Sequence, residues 1–196
     1  NAAGRLGRPD IALHLVLTED VREAELLASE LETLNRDRQA VEDRILREAV
    51  ALVESWPEER RRRRGYVVWG EGWHEGVIGI VASRLVERFS RPVVLITRSR
   101  EGWKGSGRSI GTFDLHGGLA ACADQLERFG GHRAAAGLSI REENLVGFAT
   151  AFAAHADGVL ADDDLEPVTH VDAVVAASSL TLGLAHELSR LAPFGL

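Results

Sequence analysis

From Ala24 to Trp56 apolar residues recur at spacings of three, four or seven: Ala24, Leu27, Leu31, Leu34, Val41, Ile45, Ala49, Leu52 and Trp56. The stripe breaks only where Arg38 fills a slot due to an apolar side chain. Such periodicity predicts one long helix, with Thr18 as its N-cap and Glu19 and Asp20 favouring the positive end of the dipole. About 36 residues at ~1.5 Å each span roughly 54 Å, more than a domain of this size uses internally. The expected role is therefore a connector between two domains rather than a member of a bundle. Pro57 and five successive arginines, 60–64, end it. That run reads as a solvated tail beside a helix C-terminus, with direct phosphate contact as the alternative. Before the connector, Pro9 suits a first helical turn, and Ile11, Ala12, Leu15 and Val16 give a short helix stopping near Thr18. It reads as the end of something upstream.

After Gly65 the pattern changes to strands alternating with helices, the signature of a layered α/β or α+β domain. Residues 66–69 predict a buried strand, 76–89 a helix with Val77, Ile80, Val81 and Leu85 on its apolar face, and 93–97 a second strand. A loop over 98–104 leads to an extended piece at 105–110. Asp114 caps a helix expected to run to about residue 128, broken by Gly130-Gly131-His132, and 134–140 predicts a strand of small residues. A helix over 144–159, an acidic linker at 162–167, a strand at 170–176 and a last helix at 181–191 capped near Ser179 complete the reading. The expected fold is α/β (α+β): a mixed sheet flanked by helices, preceded by the long connector.

With 196 residues and 45% hydrophobic content the chain can bury one ordinary core or two small ones. No run approaches the ~20 apolar residues of a membrane-spanning helix, and no signal-peptide pattern opens the chain, so the expected location is cytoplasmic. One cysteine, Cys122, forms no internal disulfide and completes no zinc quartet. There is no methionine, and the chain reads as a fragment. The formal net charge of -7 argues at first against a nucleic-acid partner. It hides an asymmetry. Residues 10–59 hold 14 acidic and 5 basic side chains and 142–196 hold 9 and 1, whereas 65–141 hold 7 acidic and 10 basic. The positive charge thus accompanies the glycine-rich segments.

Three clusters carry candidate chemistry. In Gly105-Ser106-Gly107-Arg108-Ser109 the glycines allow close approach to the backbone, Arg108 offers a planar fork for a phosphate, and Ser109 adds a hydroxyl. Such strings also mark plain hairpins, and both readings stand. In Gly130-Gly131-His132-Arg133-Ala134-Ala135-Ala136-Gly137, a tight turn entering a closely packed strand would present His132 outward as a phosphate donor or proton-transfer group. The competing reading is a helix C-cap followed by a core histidine. In Trp73-His74-Glu75-Gly76, ahead of a helix, free amides could hold an anion, while a structural N-terminal cap explains the same residues. Trp73 and Trp103 offer faces for base stacking, against burial as the default for tryptophan. His116 is expected on a helix surface, and the aspartates at 162–164 in a solvated loop. Nowhere is there the carboxylate and histidine cluster of a two-metal hydrolase.

Taken together, the string from Trp73 to Leu85, the GSGRS run at 105–109, Phe113-Asp114-Leu115 and the glycine-histidine run at 130–137 closely resemble the DHH-associated domain of the RecJ family of single-strand-specific exonucleases, in order and spacing. Residues 1–7 resemble the last motif of that family's DHH domain, and Leu191-Ala192-Pro193-Phe194-Gly195 resembles the entry to its oligonucleotide-binding barrel. The resemblance implies four parts: 1–18 as the end of the DHH domain, 19–59 as connector helix, 65–160 as the DHH-associated substrate-binding domain, and 161–196 as the lead-in to the barrel. It implies 5′-to-3′ hydrolysis of single-stranded DNA in repair and recombination, with Mn2+ or Mg2+ bound by a DHH domain that this chain lacks. It also implies single-strand-binding protein or a helicase as partner, and no membrane. For the residues present it implies His132 as the catalytic group and Asn1, Arg5, Gly107, Arg108, Ser109, Gly130, Gly131 and Arg133 as phosphate contacts, with Trp73, His74 and Lys104 as further candidates. Small DHH phosphodiesterases acting on nanoRNA or cyclic dinucleotides share the glycine-histidine loop and are the alternative, beside a non-catalytic DNA-binding relative or a purely structural domain.

Overall fold

The computed structural model describes residues 2–168 and 171–192. Residues 1–166 cluster as one unit and 167–196 as a second. In the first, short helices α1 (Ala2–Arg5) and α2 (Pro9–Leu17) lead to the long helix α3 (Val21–Glu54) and a single turn α4 (Glu58–Arg61). Then follow β1 (Tyr66–Gly70), α5 (Ile78–Phe89), β2 (Val93–Ser99), β3 (Gly102–Arg108), α6 (Leu115–Ala120), β4 (Leu126–Gly131), β5 (Ala135–Ile140) and α7 (Leu145–Val159).

The five strands form one mixed sheet in the order β1-β2-β3-β5-β4, with β1 and β2 parallel and the remaining pairs antiparallel. This is the expected fold class. Because side chains alternate across a strand, two cores form on its two faces. On one, Val67, Val94, Ile96, Ala136, Leu138 and Ile140 meet Leu115, Phe148 and Phe152. On the other, Tyr66, Val68, Val93 and Leu95 meet Val77, Val81 and Leu85 of the α5 region and Ile45, Ala49 and Val53 of α3.

Several expectations need correction. The helix capped by Asp114 ends at Ala120, and 126–131 is a strand rather than its continuation. Leu126 and Phe129 pack against the apolar core while Glu127 and Arg128 stay exposed, a pattern that a helical reading also accommodates. The loop expected over 98–104 is mostly strand, since β2 runs to Ser99 and β3 starts at Gly102, and the extended piece expected from 105 is the rest of β3, ending at Arg108. The N-cap of α3 is Asp20, whose carboxylate accepts from the amides of Arg22 and Glu23, while the Thr18 hydroxyl instead donates to Glu23. No strand occurs at 171–176, and His170 lies outside the described residues. In the second unit Thr181, not Ser179, caps the last helix, α8 (Leu182–Ser189).

The long helix α3 is packed into the fold on both halves of its length. The N-terminal part of the chain, α1 and α2, packs on α3, and the same helix also packs on α5 and β1, where Ile45, Ala49 and Val53 are buried. Arg38, the break in the apolar stripe, has a partner that periodicity does not reveal. It pairs with Glu42 one turn on, which is 4% exposed and also receives Arg84 of α5 at 3.3 Å. Two guanidiniums thus compensate one buried carboxylate. The arginines at 60–64 divide: Arg60, Arg61 and Arg62 stay exposed, as a solvated run would, whereas Arg63 and Arg64 are drawn into the fold. Arg60 stacks 3.7 Å above the Trp56 ring, Arg62 pairs with Glu58, Arg63 with Asp157 and Arg64 with Asp162.

Glu42→Ala should therefore destabilise the protein by about 2 kcal/mol, since it strands the largely buried Arg38 guanidinium. Urea unfolding of the variant beside Glu30→Ala, whose side chain is half exposed, checks the difference.

Candidate nucleic-acid interface

The turn before α5 is built to hold backbone close to backbone. Trp73 is 4% exposed; its indole nitrogen donates to Glu48 of α3 at 2.7 Å, and its carbonyl accepts from the Thr97 hydroxyl at 2.9 Å. That indole donor, with Arg44 beside it, holds the Glu48 carboxyl below its usual range. His74 turns back so that Nδ1 accepts the Gly76 amide at 3.1 Å. At Gly76 a Cβ would stand 2.2 Å from the Arg5 carbonyl oxygen, so only glycine lets α1 lie against this turn. Arg5 returns the contact, its guanidinium donating to the Gly76 carbonyl at 3.2 Å.

One turn further, at Gly79, a Cβ would meet the Ser106 hydroxyl at 2.9 Å and the Arg108 guanidinium at 3.0 Å. The helix start therefore lies directly over β3. Arg108 is half-buried there, donating to the Ser106 hydroxyl at 3.1 Å and the Gly107 carbonyl at 2.7 Å. Burial, and then the positive charge of Arg5, pull its pKa below the usual arginine value. It stays protonated at neutral pH, because arginine has so much margin. Two like charges thus converge in a partly desolvated place, and among the described residues neither has a carboxylate partner. By contrast Arg38, Arg63, Arg64 and Arg88 are each paired.

Beyond Arg108 the same sheet face is open, because α5 covers β2 and β3 and leaves β5 and β4 bare on that side. Strand register sets out three rungs there. Arg108 pairs with Ala135; Ser106 with Gly137 and then Gly130; Lys104 with Ser139 and then Arg128. A groove of about 460 Å³ runs over the second and third of these rungs, bordered by Glu75 and Ile78, with Arg108 on the next rung beyond its end. Lys104 is bound within the rim, 2.7 Å from Glu101 and 3.5 Å from Glu75, and Glu101 raises its pKa.

At the Arg108 end, the β4–β5 hairpin docks through two backbone bonds, Ser109 amide to Ala134 carbonyl and Leu115 amide to Arg133 carbonyl, each 3.0 Å. His132 stands exposed at the hairpin, preceded by a strand, which excludes the helix-cap and core-histidine reading. Its Nδ1 accepts the Ala134 amide at 3.3 Å, leaving the proton of the neutral ring on Nε2, facing away as a donor.

The structure thus brings Arg5, Arg108, Ser109, Gly130, Gly131 and His132 to the same end of the sheet, although the Ser109 hydroxyl donates to the Phe113 carbonyl at 3.0 Å, while other candidates lie elsewhere. Gly107 is buried on the opposite face, where its missing side chain makes room for Leu115. Gly131 carries a φ of 144°, and a Cβ would stand 2.4 Å from the Ala135 carbonyl oxygen, so the hairpin itself requires it. Arg133 is exposed and donates to the Gly111 carbonyl at 3.1 Å. Trp73 and Trp103 are buried, leaving no ring face for a base. His116 is exposed on α6, 5.7 Å from the Phe129 ring. Asn1 lies outside the described residues. Ser106, Arg128, Gly137 and Ser139 line the groove without being singled out by the motifs, although strict alternation along the GSGR run already puts Ser106 and Arg108 on one face.

Residues 64–156 match the DHHA1 domain model. Over its whole length the chain is 39% identical to the single-stranded-DNA-specific exonuclease RecJ of Bacillus subtilis and 34% identical to that of Thermus thermophilus. The chain belongs to the RecJ family. A solved RecJ structure from Thermus thermophilus, in complex with Mg2+, superimposes with a TM-score of 0.81 at 35% identity, covering 100% of this chain and 30% of that one. A second RecJ structure from that organism, in complex with Mn2+, gives 0.80 over 99% of this chain and 28% of its own length. The chain spans 25% of the Bacillus RecJ and 27% of the Thermus RecJ.

Gly76→Ala should detach α1 from the turn and release Arg5. Thermal stability should fall by about 1–3 kcal/mol from the overpacking, and Arg5→Ala made on top of it should cost nothing further in single-strand affinity. A double-mutant cycle read by fluorescence anisotropy checks this coupling.

Proposed function

We propose that this chain is the strand-handling part of a RecJ-type exonuclease that degrades single-stranded DNA from 5′ to 3′ by metal-dependent phosphodiester hydrolysis in the cytoplasm, in repair and recombination. The observation that carries the reading is the pair Arg5 and Arg108: two converging guanidiniums, one half-buried, with no carboxylate partner among the described residues, beside an open groove. A phosphate supplies the missing negative charge, and a guanidinium binds it in bidentate fashion. The contacts offered are to the sugar-phosphate chain, from Arg108, Arg5 and the open backbone at Gly130, and they carry no base sequence. His132, with its Nε2 donor outward, contacts the same strand near the scissile phosphate, and Ser109 supports the hairpin that carries it.

The solved Thermus thermophilus RecJ structures are complexes with Mg2+ and with Mn2+, and divalent ions would polarise the phosphoryl group and activate water in the whole enzyme. The residues of this chain do not fit such ions: among the described residues no group of three histidine, cysteine, aspartate or glutamate side chains converges. The metal centre is assigned to a DHH domain outside residues 1–196, and no hydrolytic step is assigned to this chain's own side chains beyond phosphate contact by His132. Single-strand-binding protein or a helicase is the proposed partner. Among the described residues no helix is long and apolar enough to cross a membrane.

In the full-length enzyme, Arg108→Ala should weaken single-strand binding at least tenfold, the loss of a charge-assisted pair being worth about 1.5–3 kcal/mol. Arg62→Ala, whose charge is exposed and paired with Glu58, should change it less than twofold. Affinity measured against salt, with metal withheld, separates them; equal small losses would remove the phosphate assignment. His132→Ala should lower turnover at least a hundredfold with an unchanged melting temperature, since an exposed hairpin side chain contributes little packing.

A further inference from the structure

Five glycines line the two motifs that frame the groove, and they divide by whether the fold itself needs them. Gly105 and Gly107 lie on the core side, where a Cβ would meet Leu138 and Leu115 at 2.9 Å each. Gly131 has a positive φ and no room. Gly130 and Gly137 are different. Both are exposed, neither has a positive φ, and they are cross-strand partners on the open face. A Cβ at Gly130 would meet nothing within 4 Å, and one at Gly137 only the Gly105 carbonyl oxygen at an ordinary 3.7 Å.

Glycine in a strand weakens it, through backbone entropy and the missing side chain, and here no contact within the described fold repays that cost. The remaining reason for a bare strand is close approach of something outside the chain. The surroundings say what kind. The glycine pair forms one rung of the sheet, with Arg108 on the rung to one side and Lys104, Ser139 and Arg128 on the rung to the other, each about 7 Å away along the strands. Ile78 at the start of α5 gives the groove an apolar wall, and Glu75 in the turn just before it faces Lys104 at 3.5 Å. The middle of the groove is therefore flat and weakly polar, while cations stand at its ends.

We propose that the Gly130–Gly137 rung is the floor on which one nucleoside of the bound strand lies, sugar and base against bare peptide, next to the phosphate held by Arg108. This rests on the phosphate assignment above and adds a steric requirement to it. A side chain at either glycine would raise the floor by one methyl or more and lift the nucleoside away, while leaving the sheet intact. Gly137 thereby becomes a specificity-determining position that touches the substrate through its backbone alone.

The test uses the full-length protein with metal withheld, fluorescein-labelled oligothymidylate as probe, and four variants: Gly137→Val, Gly130→Val, Gly107→Ala and Arg108→Ala. The expected result is a loss of affinity of tenfold or more in both valine variants, with a melting temperature equal to or above that of the parent, because valine favours a strand. Gly107→Ala, which drives a methyl at Leu115, should instead lower the melting temperature. Parent-like affinity in both valine variants while Arg108→Ala is impaired would overturn the floor and leave the phosphate reading standing. Parent-like affinity in all three would overturn both. A melting temperature lowered in the valine variants as in Gly107→Ala would show that the fold needs these glycines and would also overturn the proposal.

Discussion

The close contact of α5 with β3 governs the arrangement of the groove. With glycine at 79 the helix start descends onto the strand until it touches Ser106 and Arg108, and with glycine at 76 the preceding turn admits the backbone of α1. Those two contacts fix three things at once: how deeply Arg108 is buried, how near Arg5 comes to it, and how much of the sheet α5 leaves uncovered. A helix held one side-chain layer higher would give Arg108 access to water and screen it from Arg5. The electrostatic strain of two unpaired guanidiniums would then vanish, and with it the demand for an anion.

That strain is tolerated because the rest of the unit is charge-balanced. Arg38 and Arg84 share the buried Glu42, Arg88 meets Glu54, and Arg63 and Arg64 meet aspartates after α7 or within it. Against this background the acidic total of the chain says little about its partner. Most of the carboxylates either lie on the exposed faces of α3 or neutralise arginines within the fold, so net charge and local potential diverge.

Much of this was legible in the sequence, for reasons that differ from element to element. The stripe along α3, the strands at 66–70 and 93–99 and the helix over 145–159 are long enough for periodicity to declare itself. Asp114 was identifiable as a cap because its carboxylate accepts the Gly117 amide in the ordinary N-cap manner. Residues 120–131 were misread because Leu126 and Phe129 are three apart, which suits a helix, while a register shift between Leu126 and Arg128 disguises the strand's alternation. Arg38 looked like a defect in the stripe because its partner Glu42 looked like a surface residue. For the site, the two motifs showed which segments matter but not which face each residue takes. Gly107 and Gly137 look equivalent on paper, and only the register separates the one that makes room for Leu115 from the one that faces the groove.

The segment that matches the DHHA1 domain begins at Arg64 and ends at Ala156, and the fold brings those two ends together. The Arg64 amide donates to Asp157 at 2.7 Å, its guanidinium reaches the carbonyls of Asp157 and Leu160, and Gly65 lies against Ala156 so closely that a Cβ would stand 2.7 Å from it. Chain entry and chain exit are thus a single latched point. A module closed in this way can be inserted into, or carried between, larger proteins without either neighbour having to bridge its width, because the chain enters after α4 and leaves from α7 at the same spot.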